Sequence, residues 1–120
     1  MKIKNMIRAI KIEPGQKPEL VDLENELHAL QDAVSIGSSY RGLIETLRVE
    51  PGVTLLFNEE GKLLRLPPNV ALMQDCRVVD IIHGVCYVVG AHNGNFTSLA
   101  KAHLQKHMAL LSSGKPAIVF

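Results

Sequence analysis

Apolar residues in this chain come in short runs divided by turn signals, and most runs favour strands over helices. Ile7-Arg8-Ala9-Ile10-Lys11-Ile12 is rich in β-branched residues and predicts a strand, although Arg8 shares a parity with Ile10 and Ile12. Glu13-Pro14-Gly15 then marks a turn, because Pro presets φ and Gly tolerates positive φ. Residues 18–23 return as a second strand, and Pro18 at its start suits a sheet edge. Asn25 is placed to cap a helix beginning near Glu26, with Leu27, Leu30 and Val34 on one face and Gly37-Ser38-Ser39 as its end. A second hairpin follows: residues 43–49, the turn Glu50-Pro51-Gly52, and residues 53–58. Glu-Pro-Gly thus occurs twice, which reads as two similar turns rather than a repeat.

Asn58-Glu59-Glu60-Gly61-Lys62 predicts a polar turn with Gly61 available for the left-handed region. Residues 63–66 read as a short strand that Pro67-Pro68-Asn69 stops, excluding central pairing beyond Leu66. Residues 78–89 form the strongest strand signal. Their two faces are both apolar, which predicts a central strand, and Gly84 within it predicts a bulge or a close approach. Residues 91–95 read as an exposed loop. Thr97 or Ser98 then caps a last helix with Leu104, Met108 and Leu111 inward and Lys101 and Lys106 toward water. Residues 117–120 either add a short strand, dock on a partner or fray. The order of elements predicts an α+β fold, with a mostly antiparallel sheet of about five strands and two helices. Residues 7–111 make a single domain, residues 1–6 an N-terminal extension, and residues 112–120 a C-terminal tail.

Composition narrows the function. The chain has 120 residues, 47% of them hydrophobic and 21% charged, with 13 Lys+Arg against 12 Asp+Glu and a net charge of +1. Such a balance excludes nonspecific coating of nucleic acid, which needs basic excess, and DNA mimicry, which needs acidic excess. The two cysteines, Cys76 and Cys86, lie in or beside apolar stretches and read as reduced thiols. No signal peptide is visible, and Asp80 and His83 break the longest apolar stretch, which is shorter than the roughly 20 residues a membrane helix takes. The expected place is therefore inside the cell, away from membranes.

Few chemical motifs emerge. His103 and His107 are four apart on the last helix, but Leu104 stands where a zinc protease places Glu, so no metal is assigned. Ser98 lacks the flanking glycines of a nucleophile elbow, Cys86 lies mid-strand among apolar residues, and Glu59 and Glu60 are adjacent and point apart. Phosphate-binding glycine motifs and a stacking platform are missing, so neither a cofactor nor a catalytic residue is assigned. What remains is a polar set at strand ends and turns: Asn58, Lys62, Arg65, Asn69, Thr97 and Ser98. Lys62 and Arg65 offer charge-assisted bonds to a small anion, and Thr97 and Ser98 open a helix whose free N–H groups suit one. The plainer alternative is that the asparagines hold turns, the cations are solvated and the hydroxyls only cap.

The chain resembles a family of small uncharacterised proteins encoded mainly by bacteriophages and mobile elements of bacteria. The resemblance rests on Ile12-Glu13-Pro14-Gly15 with Pro18, on Asn58-Glu59-Glu60-Gly61-Lys62-Leu63 running into Leu66-Pro67-Pro68-Asn69, on Ile82-His83-Gly84 leading to Val88-Val89-Gly90, and on Phe96-Thr97-Ser98-Leu99. It departs at residues 1–6, 74–79 and after 112. The resemblance implies a small accessory protein in the cytoplasm of a bacterial host, of a kind that often counters host defence. The first expectation is a non-enzymatic protein that sequesters a small anionic, nucleotide-like ligand through the six polar residues. The alternative is an inhibitor that binds a host protein, such as a defence nuclease or other enzyme, through sheet edges or the apolar tail. A nucleotide-processing enzyme drawing on His83, Glu60 or Ser98 is the third reading. Homo-oligomerisation is expected, since a small domain builds pockets between subunits.

Overall fold

The computed structural model describes residues 5–114 and 116–120. In chain order the elements are β1 (Met6–Ile12), β2 (Glu19–Glu24), α1 (Leu27–Ala33), β3 (Ile44–Glu50), β4 (Val53–Asn58), β5 (Pro68–Gln74), β6 (Arg77–His83), β7 (Cys86–His92), β8 (Asn95–Thr97), α2 (Lys101–Leu111) and β9 (Ala117–Val119). The fold is α+β with mostly antiparallel sheets, as the sequence predicts, built from nine strands among the described residues. Most of the expected N-terminal extension lies outside the described residues, as does Lys115. Met6 belongs to β1.

Both Glu-Pro-Gly segments make the same turn. Pro takes the first central position and Gly the second, at φ +73° in Gly15 and +82° in Gly52, which is the type II pattern. In the first, the Gln16 N–H donates to the Glu13 carbonyl at 3.1 Å. In the second, Glu50 pairs directly with Val53. The two hairpins flank β7 in the order β2-β1-β7-β4-β3, with β8 added beside β7. One face of this sheet carries Ile7, Ala9, Leu56, Tyr87 and Val89, and Leu30 of α1 and its C-cap residue Val34 cover it. The other carries Ile10, Ile12, Leu55 and Val88, covered by Leu111 of α2 and by a second sheet of order β6-β5-β9. Burial on both faces explains why β7 reads as continuously apolar.

The expected strand over residues 78–89 is two strands in two sheets. Gly84 sits at φ +91°, and a Cβ there would meet Leu66 Cδ1 at 2.8 Å. The chain therefore turns at this residue, and β6 leaves for the small sheet while β7 takes the centre of the large one. The expected strand at 63–66 is a helical turn instead. Leu64 and Leu66 N–H groups donate to the Glu60 and Gly61 carbonyls, and Arg65 takes the left-handed conformation at φ +55°. Gly61 is needed for space rather than for φ: a Cβ there would stand 2.3 Å from the His83 carbonyl oxygen.

Prolines 67 and 68 do not end pairing. Pro68 begins β5, which lies between β6 and β9, because a missing N–H is tolerated at the first residue of a strand. The expected loop at 91–95 is a tight hairpin. Asn93 and Gly94 both take positive φ, the Asn-Gly pattern of a type I′ turn. Ends of helices also differ from expectation. Glu26, not Asn25, caps α1, accepting from the His28 and Ala29 N–H groups, while the Asn25 side chain donates to the Phe96 carbonyl. Helix α2 begins after Ala100 and has no side-chain cap. Residues 117–119 form β9, parallel to β5.

Candidate functional site

Two sheet edges frame a cavity with mixed apolar and polar lining. Strand β3 ends the large sheet and β6 ends the small one, so each has an unpaired side. A cleft of 480 Å³ opens between them, lined by residues 45–47 of β3 and residues 79–83 of β6. Leu47 and Phe57 of the large sheet face Leu72 and Ile82 of the small one, so the cleft runs between the two sheets at the margin where β3 and β6 are unpaired. The volume falls within the range of about 300–1,000 Å³ found for binding pockets. Leu47, Phe57, Leu72, Ile82 and Phe120 supply apolar lining continuous with the core.

The polar lining of the cleft is acceptor-rich. Glu45, Glu59 and Asp80 bring three carboxylates against the single ammonium of Lys62. Lys62 is already paired with Asp80. That hydrogen bond, with a second from the Ile81 N–H, holds the Asp80 carboxyl below the usual carboxylate range against the opposing effect of burial. Glu45 and Glu59 make no ion pair among the described residues. His83 Nδ1 lies 2.8 Å from the Leu66 carbonyl and donates to it.

The six residues selected from sequence are not gathered in one place. Asn58 and Lys62 line the cleft, whereas Arg65, Asn69, Thr97 and Ser98 do not. Asn58 is buried and structural: its amide donates to the Val34 carbonyl at 3.3 Å and its Oδ1 accepts from the Glu60 N–H at 2.8 Å. Asn69 donates to the Ile12 and Gly84 carbonyls at 2.8 and 2.9 Å. Arg65 is exposed at the end of its helical turn. Thr97 closes β8 opposite Gly90, and Ser98 Oγ accepts from the Arg8 N–H at 2.8 Å. Since α2 starts at Lys101, neither hydroxyl stands at a helix N-terminus.

A second polar cluster joins α2 to the β3–β4 turn. Glu50 accepts from Lys106 Nζ and faces His107 Nε2, both at 2.8 Å, with His103 Nε2 at 3.5 Å. The Lys106 and His107 hydrogen bonds keep the Glu50 carboxyl below its ordinary range, although burial opposes them. Among the described residues no group of three or more His, Cys, Asp or Glu side chains is arranged to hold a metal ion. Burial drives the Cys86 thiol far above its ordinary range, so it is not a nucleophile. No helix among the described residues is long and apolar enough to cross a membrane.

Sequence reading missed Glu45, Glu59, Asp80 and Val79 as one lining. The available signal was Asp80 inside the apolar run 78–82, a charge where a two-face-buried strand excludes one. Comparison with known proteins gives one result: a domain of unknown function, DUF3846, matches residues 7–112. No curated protein and no solved structure matches the chain significantly.

Proposed function

Since the chain belongs to the DUF3846 family, we propose its role from the cleft: it is a non-enzymatic binding module that takes hold of a partner protein. The carrying observation is the cavity at two strand edges left open among the described residues, with apolar walls and two carboxylates, Glu45 and Glu59, that make no ion pair among those residues. Strand edges and apolar clefts recognise polypeptide by main-chain bonds and side-chain pockets. Sequestration of a small anion draws less support, because three carboxylates line the cleft and its one lysine is engaged. The residues an enzyme reading would recruit are spent separately. His83 bonds the Leu66 carbonyl, Glu60 accepts from the Tyr40 hydroxyl, and Ser98 accepts from the Arg8 N–H. In the phage or mobile-element setting that the sequence resemblance implies, the partner is a host protein such as a defence nuclease.

A photo-crosslinking residue at Thr46, on the rim, tests this against one at His28, on α1. In host cells the Thr46 variant is expected to give an adduct of one defined mass that the His28 variant lacks. Equal labelling at both positions overturns the reading. So does calorimetric binding of cyclic or ADP-ribose-type nucleotides at tens of micromolar, which assigns the protein to ligand capture.

A further inference from the structure

The occupant of the cleft follows from how the β6 edge is finished. The Ile81 N–H donates to Asp80 Oδ1 at 2.8 Å, so it is turned away from β5 toward the open side. There a carboxylate stands where the carbonyl of a neighbouring strand would otherwise be. Proteins blunt free edges with charged side chains in this way. Beside it, Val79 and Ile81 are 52% and 41% exposed, a large apolar exposure for residues flanking a polar plug. Opposite, Glu45 and Glu59 leave two carboxylates without an ion pair among the described residues.

We propose that the cleft accepts an extended segment of the partner protein, which adds as a strand to β6 and carries a Lys or Arg toward Glu45 and Glu59. Glu45, Leu47 and Phe57 share one sheet face, so the cation and the apolar residues that rest on Leu47 and Phe57 stand two apart in the segment, and the residues between them point away. A carbonyl of the segment replaces the Asp80 carboxylate at the Ile81 N–H, and Asp80 stays with Lys62. Main-chain pairing supplies affinity, and the cation supplies selection over acidic segments by charge complementarity. This inference rests on the protein-contact reading above.

The test uses two synthetic peptides in which Thr alternates with Val and a charged residue in turn, one with Lys and Arg, the other with Glu at the charged positions. Amide NMR on the full chain reads where each binds, and titration reads how tightly. The basic peptide is expected to shift residues 45–47 and 79–83, protect the Ile81 N–H from exchange, and bind about tenfold tighter than the acidic one, a difference of about 1.4 kcal/mol. Reversing both rim charges, Glu45→Lys with Glu59→Lys, reverses the preference. In Asp80→Ala the free Ile81 amide exchanges faster and regains protection with the basic peptide. Equal binding of the two peptides, shifts confined to other surfaces, or no binding overturns the proposal. Self-association that Val79→Asp abolishes also overturns it, since the edge then belongs to a second copy. If the peptides fail while crosslinking at Thr46 still yields its adduct, strand addition by a basic segment is wrong and protein contact stands.

Discussion

Asn69 fastens the two sheets together, and removing its amide gives a stability loss that can be worked from the structure. It stands one residue into β5, in the small sheet. Its Nδ2 donates to the Ile12 carbonyl, at the end of β1 in the large sheet, and to the Gly84 carbonyl, at the corner between β6 and β7. Each bond contributes about 1 kcal/mol net, and a carbonyl left buried without its donor costs about 1–3 kcal/mol. The site is only part-buried, so water relieves some of that cost. Asn69→Ala is therefore expected to lose about 2–3 kcal/mol. Urea unfolding followed by circular dichroism measures it. With a slope of about 1–3 kcal/mol/M, the midpoint falls by about 0.7–3 M at unchanged slope. Asn69→Asp sharpens the test, because a carboxylate turns two attractive contacts into repulsion with carbonyl oxygens. That variant is expected to be less stable at neutral pH than at pH 3, relative to wild type. A loss under about 0.5 kcal/mol for Asn69→Ala, with no pH effect in Asn69→Asp, refutes the reasoning.

The ion cluster on α2 gives a pH dependence. Glu50 has a depressed carboxyl in the folded state, so its contribution is complete above the ordinary value of 4.5 and is lost as pH falls through the lower folded value. Melting curves from pH 7 to 2 are expected to show wild type losing more on the acid side than Glu50→Gln; parallel curves count against the pairing. Gly61→Ala places a Cβ 2.3 Å from the His83 carbonyl oxygen and should cost about 2–3 kcal/mol in thermal or urea unfolding, while a melting point within a degree of wild type contradicts the close approach. Ellman's reagent is expected to label Cys76 in the native protein and Cys86 only in denaturant, since one thiol is exposed and the other buried; fast native labelling of Cys86→Ser and Cys76→Ser alike refutes that assignment.

Local signals carried the hairpins well. Each Glu-Pro-Gly specifies its own turn, because the φ values of Pro and Gly are set within the segment. The break at Gly84 was less legible. Apolar residues continue on both sides of it, and only the third dimension shows Leu66 occupying the space a side chain would need. Residues 63–66 failed for a related reason: an apolar run of four fits a helical turn as well as a strand. The Asn93-Gly94 hairpin was readable from its dipeptide alone. As for the cleft, Asn58 and Lys62 were marked as polar residues at a turn, but Glu45 and Asp80 looked like ordinary solvated positions on strands. Which edges remain unpaired depends on strand order, and strand order is a long-range property that residue patterns do not encode locally.

The parallel seating of β9 ties the small sheet to the order in which the chain is made. While the ribosome is still supplying α2, β5 has β6 as its one strand neighbour in that sheet, and a two-stranded ribbon is marginal in water. Val78 and Val79 are then exposed alongside a second open edge on β5. The small sheet therefore gains its third strand only after α2 has been made. Phe120 follows β9, its N–H donating to the Met73 carbonyl while its side chain walls the cleft. Residues 117–120 therefore serve two structures at once, and a deletion there removes a strand of the small sheet and a wall of the cleft together.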